Sequence, residues 1–344
     1  MKTKNFYIVS IIIITFLGGA TAAFFFSEKS SFKVSSKEIS SLRLTTFNSS
    51  DIHKAWSARI DSIGTARAYG EFKEAYEAQD SKFQHLAAHV MGSLLYEKEG
   101  LAGLGICDAT FAFGCYHSFF GSAVSKEGIG AIKDFDRICM EKFGPWGTGC
   151  PHGIGHGILE YMGHEKLDEA LAACIHTTQK HPLLGCTSGV FMEYNFPVLI
   201  GKEEASSQVR KWNPDSPLSP CTSVEEKYRS SCFFELAQWW ELVLFQDYAK
   251  MGKFCQAISS KDEQEACFLG IGHALAPTTL YNVQDATRRC ILMPNSEAKI
   301  LCLAGTSWGF FVVPEKRADA PLLCKKLLPT DEKKCLDKAS FIKE

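Results

Sequence analysis

The sequence lacks several features that mark common protein classes. Its 37 lysines and arginines are balanced by 39 aspartates and glutamates, so there is no basic excess to neutralise nucleic-acid phosphates, and no nucleic-acid partner is expected. None of its 14 cysteines has the C-x-x-C spacing, which excludes a thioredoxin-like motif, a zinc ribbon and c-type haem attachment. Neither G-x-G-x-x-G nor G-x-x-x-x-G-K-[ST] occurs, so the common nucleotide-binding loops are absent.

The N-terminus indicates export. Two lysines precede an uncharged, apolar run, Phe6–Phe26, which as a helix would rise about 30 Å and cross a bilayer. A cleavable signal peptide is the alternative, because residues 20–22 form an A-x-A site. The apolar run continues past that site, which favours an uncleaved anchor over residues 1–26. The remainder is then periplasmic or extracellular, either tethered to the membrane through the Ser/Lys-rich residues 27–50 or secreted after cleavage.

The cysteines fall into evenly spaced couples. In an exported chain an even number of cysteines predicts a disulfide framework. Consecutive cysteines lie 8 residues apart in the first couple and 11 or 12 apart in the others, and we expect each couple to pair. The seven couples are Cys107 and Cys115, Cys139 and Cys150, Cys174 and Cys186, Cys221 and Cys232, Cys255 and Cys267, Cys290 and Cys302, and Cys324 and Cys335. Closing one such loop contributes about 3 kcal/mol in a chain-entropy account.

The couples recur with the period of a helical hairpin. Their first cysteines are 32 to 35 residues apart, except for one step of 47 that contains the insertion Val198–Pro220. A period near 34 residues is typical of helix–turn–helix repeats. An apolar helical segment is expected to start at each second cysteine, and an amphipathic segment such as Lys166–Cys174 leads to the next couple. The sequence therefore predicts, over residues 51–344, a right-handed α/α solenoid of about seven disulfide-stapled hairpins. It leaves open whether the solenoid curls into a ring.

These features resemble Sel1-like and tetratricopeptide repeats, and more closely their cysteine-rich secreted variants. The resemblance spans Phe83–Cys335 and rests on the period, on helix ends of the form A-x-x-A-C, and on helix starts of the form Cys-x-x-Gly. It implies a non-enzymatic scaffold that binds a protein or peptide partner on its concave face. The chain departs from the family where Gly-x-x-His, or glycine with a bulky residue three positions later, replaces the Leu-Gly-x-x-Tyr signature.

Histidine occupies fixed positions in the repeat. The repeats can be aligned on the second cysteine of each couple, where the helix is expected to start. A first repeat without a disulfide has Phe83 in place of that cysteine. Six of the ten histidines then lie two or six residues after the aligned position. They are His85, His89, His117, His152, His156 and His273. Positions four apart share a helix face, and one helix of each hairpin lines the concave surface. We expect the first five on that surface, with Glu160 extending the stripe. The glycines that recur three residues after the second cysteine would let neighbouring helices approach closely.

Such a stripe predicts a transition-metal site. Two neutral imidazoles at i and i+4 form a platform that a second helix can complete, with Glu160 as a ligand or an orienting group. Histidine and glutamate suit zinc or iron, and a nearby Met91, Met162 or Met192 would suit copper. The zinc-protease motif is absent, because it needs a glutamate directly after the first histidine. Whether the site is catalytic stays open, as does a purely structural role in which the rings bond to neighbouring repeats.

The number of metal ions also stays open at this stage. Stacked helices lie about 8–10 Å apart, so the helices that carry the two histidine pairs would be about 16–20 Å apart unless the solenoid curves. At that separation the two histidine pairs could not bind the same ion. Two separate sites, or a site shared through His117, are the alternatives.

Overall fold

The structure, a computed structural model, describes residues 48–144, 147, 149–178, 183–196 and 210–339. Every regular element in these ranges is helical, and 15 of the elements are α-helices. The first eight are α1 (Ser49–Ile63), α2 (Thr65–Tyr76), α3 (Ser81–Glu99), α4 (Gly114–Glu127), α5 (Ile132–Phe143), α6 (Gly149–Met162), α7 (Leu167–Ala173) and α8 (Cys186–Asn195). The others are α9 (Glu226–Val243), α10 (Tyr248–Gln256), α11 (Lys261–Thr278), α12 (Val283–Cys290), α13 (Ser296–Phe311), α14 (Ala320–Cys324) and α15 (Pro329–Ala339).

Part of the sequence prediction lies outside these ranges. The anchor, most of the tether and the first part of the insertion are among the residues that are not described. None of the helices in the described ranges combines the length and the apolar character needed to cross a membrane. Among the described residues the first helix begins at Ser49, where the side chain of Asn48 accepts a hydrogen bond from the backbone of Asp51 at 3.2 Å and caps the helix.

The predicted disulfide pairing is confirmed. All 14 cysteines are bonded, each to the other member of its couple, and no free thiol remains. The Cα–Cα distances run from 5.4 Å to 5.7 Å, within the range that a relaxed bridge requires. Seven disulfides indicate an oxidising, extracytoplasmic environment.

The helices form two layers, which confirms the all-α solenoid. Helices α3, α4, α6, α8, α9, α11 and α13 form the inner layer, and each packs against the next. Helices α5, α7, α10, α12 and α14 lie outside them, and three of the disulfides join one of these outer helices to an inner one. The inner helices from α6 onward are thus covered by their neighbours in the stack and by outer helices.

The predicted helix starts are wrong in the second half of the chain. Helices α9, α11 and α13 each begin six residues before the cysteine that was expected to open them, namely Cys232, Cys267 and Cys302. The extra turns carry acidic residues at their N-termini, which the helix dipole favours. Helix α13, for example, starts from Asn295, whose side chain accepts a hydrogen bond from the backbone of Ala298 at 2.9 Å.

Close backbone contacts bring the inner helices together. A β-carbon on Gly189 of α8 would lie 2.8 Å from the carbonyl carbon of His152 on α6, and closer still to its oxygen. Gly305 of α13 meets Leu269 of α11 in the same way. Only glycine fits at such contacts. The stack also curves: Phe234 of α9 and Trp308 of α13 have ring centroids 5.4 Å apart, although α11 lies between these helices in the stack.

Candidate metal centre

Three imidazoles meet between α3 and α4. His85 and His89 lie one turn apart on α3, and their Nε2 atoms are 3.0 Å apart. His117 comes from α4 and places its Nδ1 atom 3.2 Å from Nε2 of His89. One nitrogen of each ring lies within 4.8 Å of the other two. We call His85, His89 and His117 the first triad.

An unusual loop holds the outermost ring of the first triad. Phe111, Ala112 and Phe113 follow one another with φ angles of 56°, 53° and 63°, a region that costs a non-glycine residue about 1–3 kcal/mol. The Cys107–Cys115 disulfide closes this loop. Its conformation brings the carbonyl oxygen of Phe111 to 2.9 Å from Nδ1 of His85. A carbonyl only accepts, so Nδ1 carries the proton and Nε2 presents a lone pair to the triad.

A second triad lies between α4 and α6. It consists of His117 again, with His152 and His156 from one face of α6. The Nε2 atoms of His152 and His156 are 3.2 Å apart, and the ring of His117 stacks on that of His156 with centroids 4.0 Å apart. All three side chains are buried. Histidines from three helices thus come together in two groups, with His117 common to both.

Neighbouring side chains orient the rings of the second triad. Nδ1 of His156 donates to the carboxylate of Glu193 at 2.9 Å, so Nε2 of His156 presents a lone pair toward Nε2 of His152. The Ser188 hydroxyl lies between Glu235 and His152, with its oxygen 3.1 Å from Nδ1 of His152. Hydrogen bonds from the far nitrogen to a carboxylate, carbonyl or hydroxyl are the partners that metal-ligating histidines have in other proteins.

Burial keeps the imidazoles neutral. Desolvation lowers the pKa of His85, and it lowers the pKa of His152 to about 3. For His89, His117 and His156 the pKa is well below its ordinary value, first through burial and then through the neighbouring rings. All five rings are therefore neutral at neutral pH. The neutral ring is also the form that binds a metal ion.

The spacing of the nitrogens matches a metal coordination shell. Ligands at the corners of a tetrahedron, each about 2.0–2.1 Å from zinc, are about 3.3 Å apart. The nitrogen–nitrogen distances are 3.0 Å and 3.2 Å in the first triad and 3.2 Å between His152 and His156. Each triad therefore offers three imidazoles that could hold a metal ion.

Glu160 lies outside both triads. Its carboxylate rests against the backbone of Gly121 on α4, where a β-carbon would leave it no room. It follows His152 by eight residues on α6, about 12 Å along the helix axis, so it cannot reach an ion held by His152. Glu193, one helix further along the stack, contacts the second triad through Nδ1 of His156.

A cavity of about 100 Å³ adjoins the second triad. His117 and His152 form part of its wall, together with Met192, Glu235 and His273, and the rest of the lining is largely apolar. Burial raises the pKa of Glu235 to about 8 and lowers that of His273 to about 4. The cavity has room for water or a small ligand beside the triad.

Of the three methionines considered as copper ligands, Met192 lies nearest to the triads. Met192 lines the cavity beside His117 and His152. Met91 is fully buried in the hydrophobic core, and Met162 packs against the core at the end of α6. Four of the five triad histidines are buried, and His85 is partly exposed.

Sequence reasoning missed the groups that orient the rings. Glu193 is a fully buried acid within the otherwise apolar helix α8, which is itself a signal. Glu235 stands three residues after its cysteine, where other repeats have glycine or serine. Ser188 occupies the same repeat position as His117 and His152. These three residues contact the candidate site or line its cavity.

No family model, curated protein or solved structure matches the chain. Its function is therefore argued from the site itself.

Proposed function

We propose that this protein is an exported, membrane-tethered helical repeat protein that binds a transition metal ion through buried histidines. The observation that carries the proposal is the His152–His156 pair, whose Nε2 atoms lie 3.2 Å apart while both Nδ1 atoms are engaged elsewhere. Burial keeps both rings neutral, and the neutral ring is the form that binds a metal ion. An ion between the two Nε2 atoms would gain a coordination bond from each ring.

The ligand set favours borderline metals. Imidazole nitrogens suit zinc, copper and iron, whereas calcium and magnesium prefer oxygen. No thiolate can take part, since every cysteine is in a disulfide. Three ligands per triad would leave a position for water or substrate, the arrangement of catalytic and not of structural zinc sites. The cavity beside His152 gives such a position access to a small molecule.

A metal titration with matched histidine variants tests the proposal. The full-length protein, purified in detergent and treated with a chelator, is titrated with zinc and copper against a chromophoric competitor. We expect tight, stoichiometric binding that is reduced in His156→Ala, with the helical circular dichroism retained. His176 is exposed, so His176→Ala should bind as the wild type does. Equal binding by wild type and His156→Ala would refute the proposed site.

The membrane tether is tested separately. Intact mass of the mature protein should include Phe6–Phe26 if the anchor is retained. A mature chain that starts near Ala23 would mean that the signal is cleaved and the protein secreted. The metal site does not depend on the outcome.

A scaffold function is the second candidate, in line with the Sel1-like resemblance. Phe245 and Leu280 stand at equivalent places in adjacent repeats, with φ angles of 52° and 51°, and their side chains are 92% and 71% exposed. Exposed apolar residues in a costly backbone conformation are typical of a contact surface. The double variant Phe245→Ser, Leu280→Ser should then lose crosslinks to a partner in cells, whereas His156→Ala should keep them. The reverse pattern would refute this candidate.

A further inference from the structure

We infer that His117 bridges two metal ions, so that the two triads form one dinuclear centre. The inference rests on the metal-binding function proposed above and goes beyond it in assigning the number of ions, the bridging ligand and the coupling between the ions.

The two nitrogens of His117 have different surroundings. Nδ1 lies 3.2 Å from Nε2 of His89, within the first triad. Nε2 is buried and has no hydrogen-bond partner among the described residues. The lone-pair directions of the two nitrogens diverge across the ring, so one ion cannot use both. A buried ring nitrogen without a partner is costly in an apolar interior, and a second ion would supply that partner.

The remaining histidines divide between the two ions. Ligand atoms from His85 and His89 group with His117, and so do those from His152 and His156, but within the described residues no group contains members of both pairs. A single ion with bonds of about 2.0–2.1 Å therefore cannot collect all five rings. Two ions on either side of His117 would be about 6 Å apart, the sum of two such bonds and the width of the ring.

Each ion would then be bound by its own pair of histidines and by the shared His117. A neutral His117 carries one ring proton, and binding of the second ion displaces that proton to water. The resulting imidazolate carries a negative charge, which lowers the repulsion between the two cations. The two ions differ in their surroundings, because the cavity is lined by His152 and not by His85 or His89. Small ligands should therefore reach the ion of the second triad first.

Copper provides the direct test, because two copper(II) ions joined by an imidazolate couple magnetically. The full-length protein in detergent is loaded with copper(II), its copper content is measured by elemental analysis, and its electron paramagnetic resonance signal is integrated. We expect two ions per chain and an integrated signal well below the copper content. His89→Ala and His152→Ala should each bind one ion and give a signal equal to their copper content. His176→Ala should match the wild type.

The outcomes separate the bridge from the proposed function. Two ions per chain with a full, uncoupled signal, or one ion per chain in the wild type, would overturn the bridge while metal binding stands. No bound copper or zinc in any form of the protein would overturn both. His117→Ala adds a further check where its circular dichroism shows a folded protein: coupling that persists in this variant would also rule out the bridge.

Discussion

The substitution Gly189→Ala tests whether the close approach of α6 and α8 builds the second triad. A β-carbon at this position would overlap the carbonyl group of His152 and lie 3.1 Å from the backbone nitrogen of His156. These are backbone atoms, so they cannot rotate away, and the two helices must separate. Ser188, the neighbour of Gly189, would move with α8 and lose its 3.1 Å contact with Nδ1 of His152.

The magnitude follows from two opposing effects. Alanine is better than glycine in a helix by about 1 kcal/mol, whereas overpacking a tight contact costs about 1–3 kcal/mol. A rigid backbone neighbour places the cost near the upper end, so we expect a net loss of about 2 kcal/mol. Disturbing a group that orients a ligand typically lowers metal affinity 10- to 100-fold, and we expect a loss of that size for zinc.

Gly70→Ala is the matched control. Gly70 lies within α2, and a β-carbon there would meet nothing within 4 Å. The same chemical change should therefore stabilise the protein by up to about 1 kcal/mol and leave zinc affinity unchanged. Urea unfolding of the disulfide-intact, metal-free protein and a zinc competition titration measure the two effects. If Gly189→Ala matches the wild type in both assays, the backbone contact does not position the site.

Two further predictions concern the scaffold and its pH dependence. Leu171 is fully buried and Leu328 is 71% exposed. Leu171→Ala should therefore lower the free energy of unfolding by about 2–5 kcal/mol, and Leu328→Ala by less than about 0.5 kcal/mol. Equal effects would show that the helix register is wrong. His152 has a pKa of about 3 in the fold, below its value in the unfolded chain, so the unfolded chain binds the proton first and the metal-free protein loses stability as the pH falls from about 6 to 3. Over that range His152 changes the free energy of unfolding by about 1.4 kcal/mol per pH unit. The urea midpoint of His152→Ala should therefore depend less on pH than that of the wild type. An unchanged pH dependence would contradict a neutral, buried His152 ring.

The sequence was most informative where the repeat imposes a pattern. Cysteine spacing alone predicted every disulfide, because a constant separation at a constant period leaves one simple pairing. The same register placed His117, His152 and His156 on equivalent helix faces. The glycine three residues after the cysteine, as at Gly189, correctly indicated a close helix contact.

What the sequence could not supply depends on distances between repeats. The separation of the histidine pairs was set by how tightly the stack curves, and that curvature arises from backbone contacts distributed over several helices. Glu160 was assigned to the stripe because it shares a helix face with His156, but a shared face does not imply a shared depth along the axis. Glu193 was missed because it reaches His156 from a different repeat. The early starts of α9, α11 and α13 were missed because the alignment on cysteine concealed the acidic turns before it.

The central claim, a metal ion held by imidazoles inside the solenoid, is tested most directly by X-ray absorption at the zinc edge of the stoichiometrically loaded full-length protein. The account predicts a first shell of nitrogen at about 2.0–2.1 Å, with the multiple scattering characteristic of imidazole rings. His156→Ala should remove one ring from the ion of the second triad and none from the ion of the first. A first shell with sulfur at about 2.3 Å, or oxygen without imidazole scattering, would contradict it.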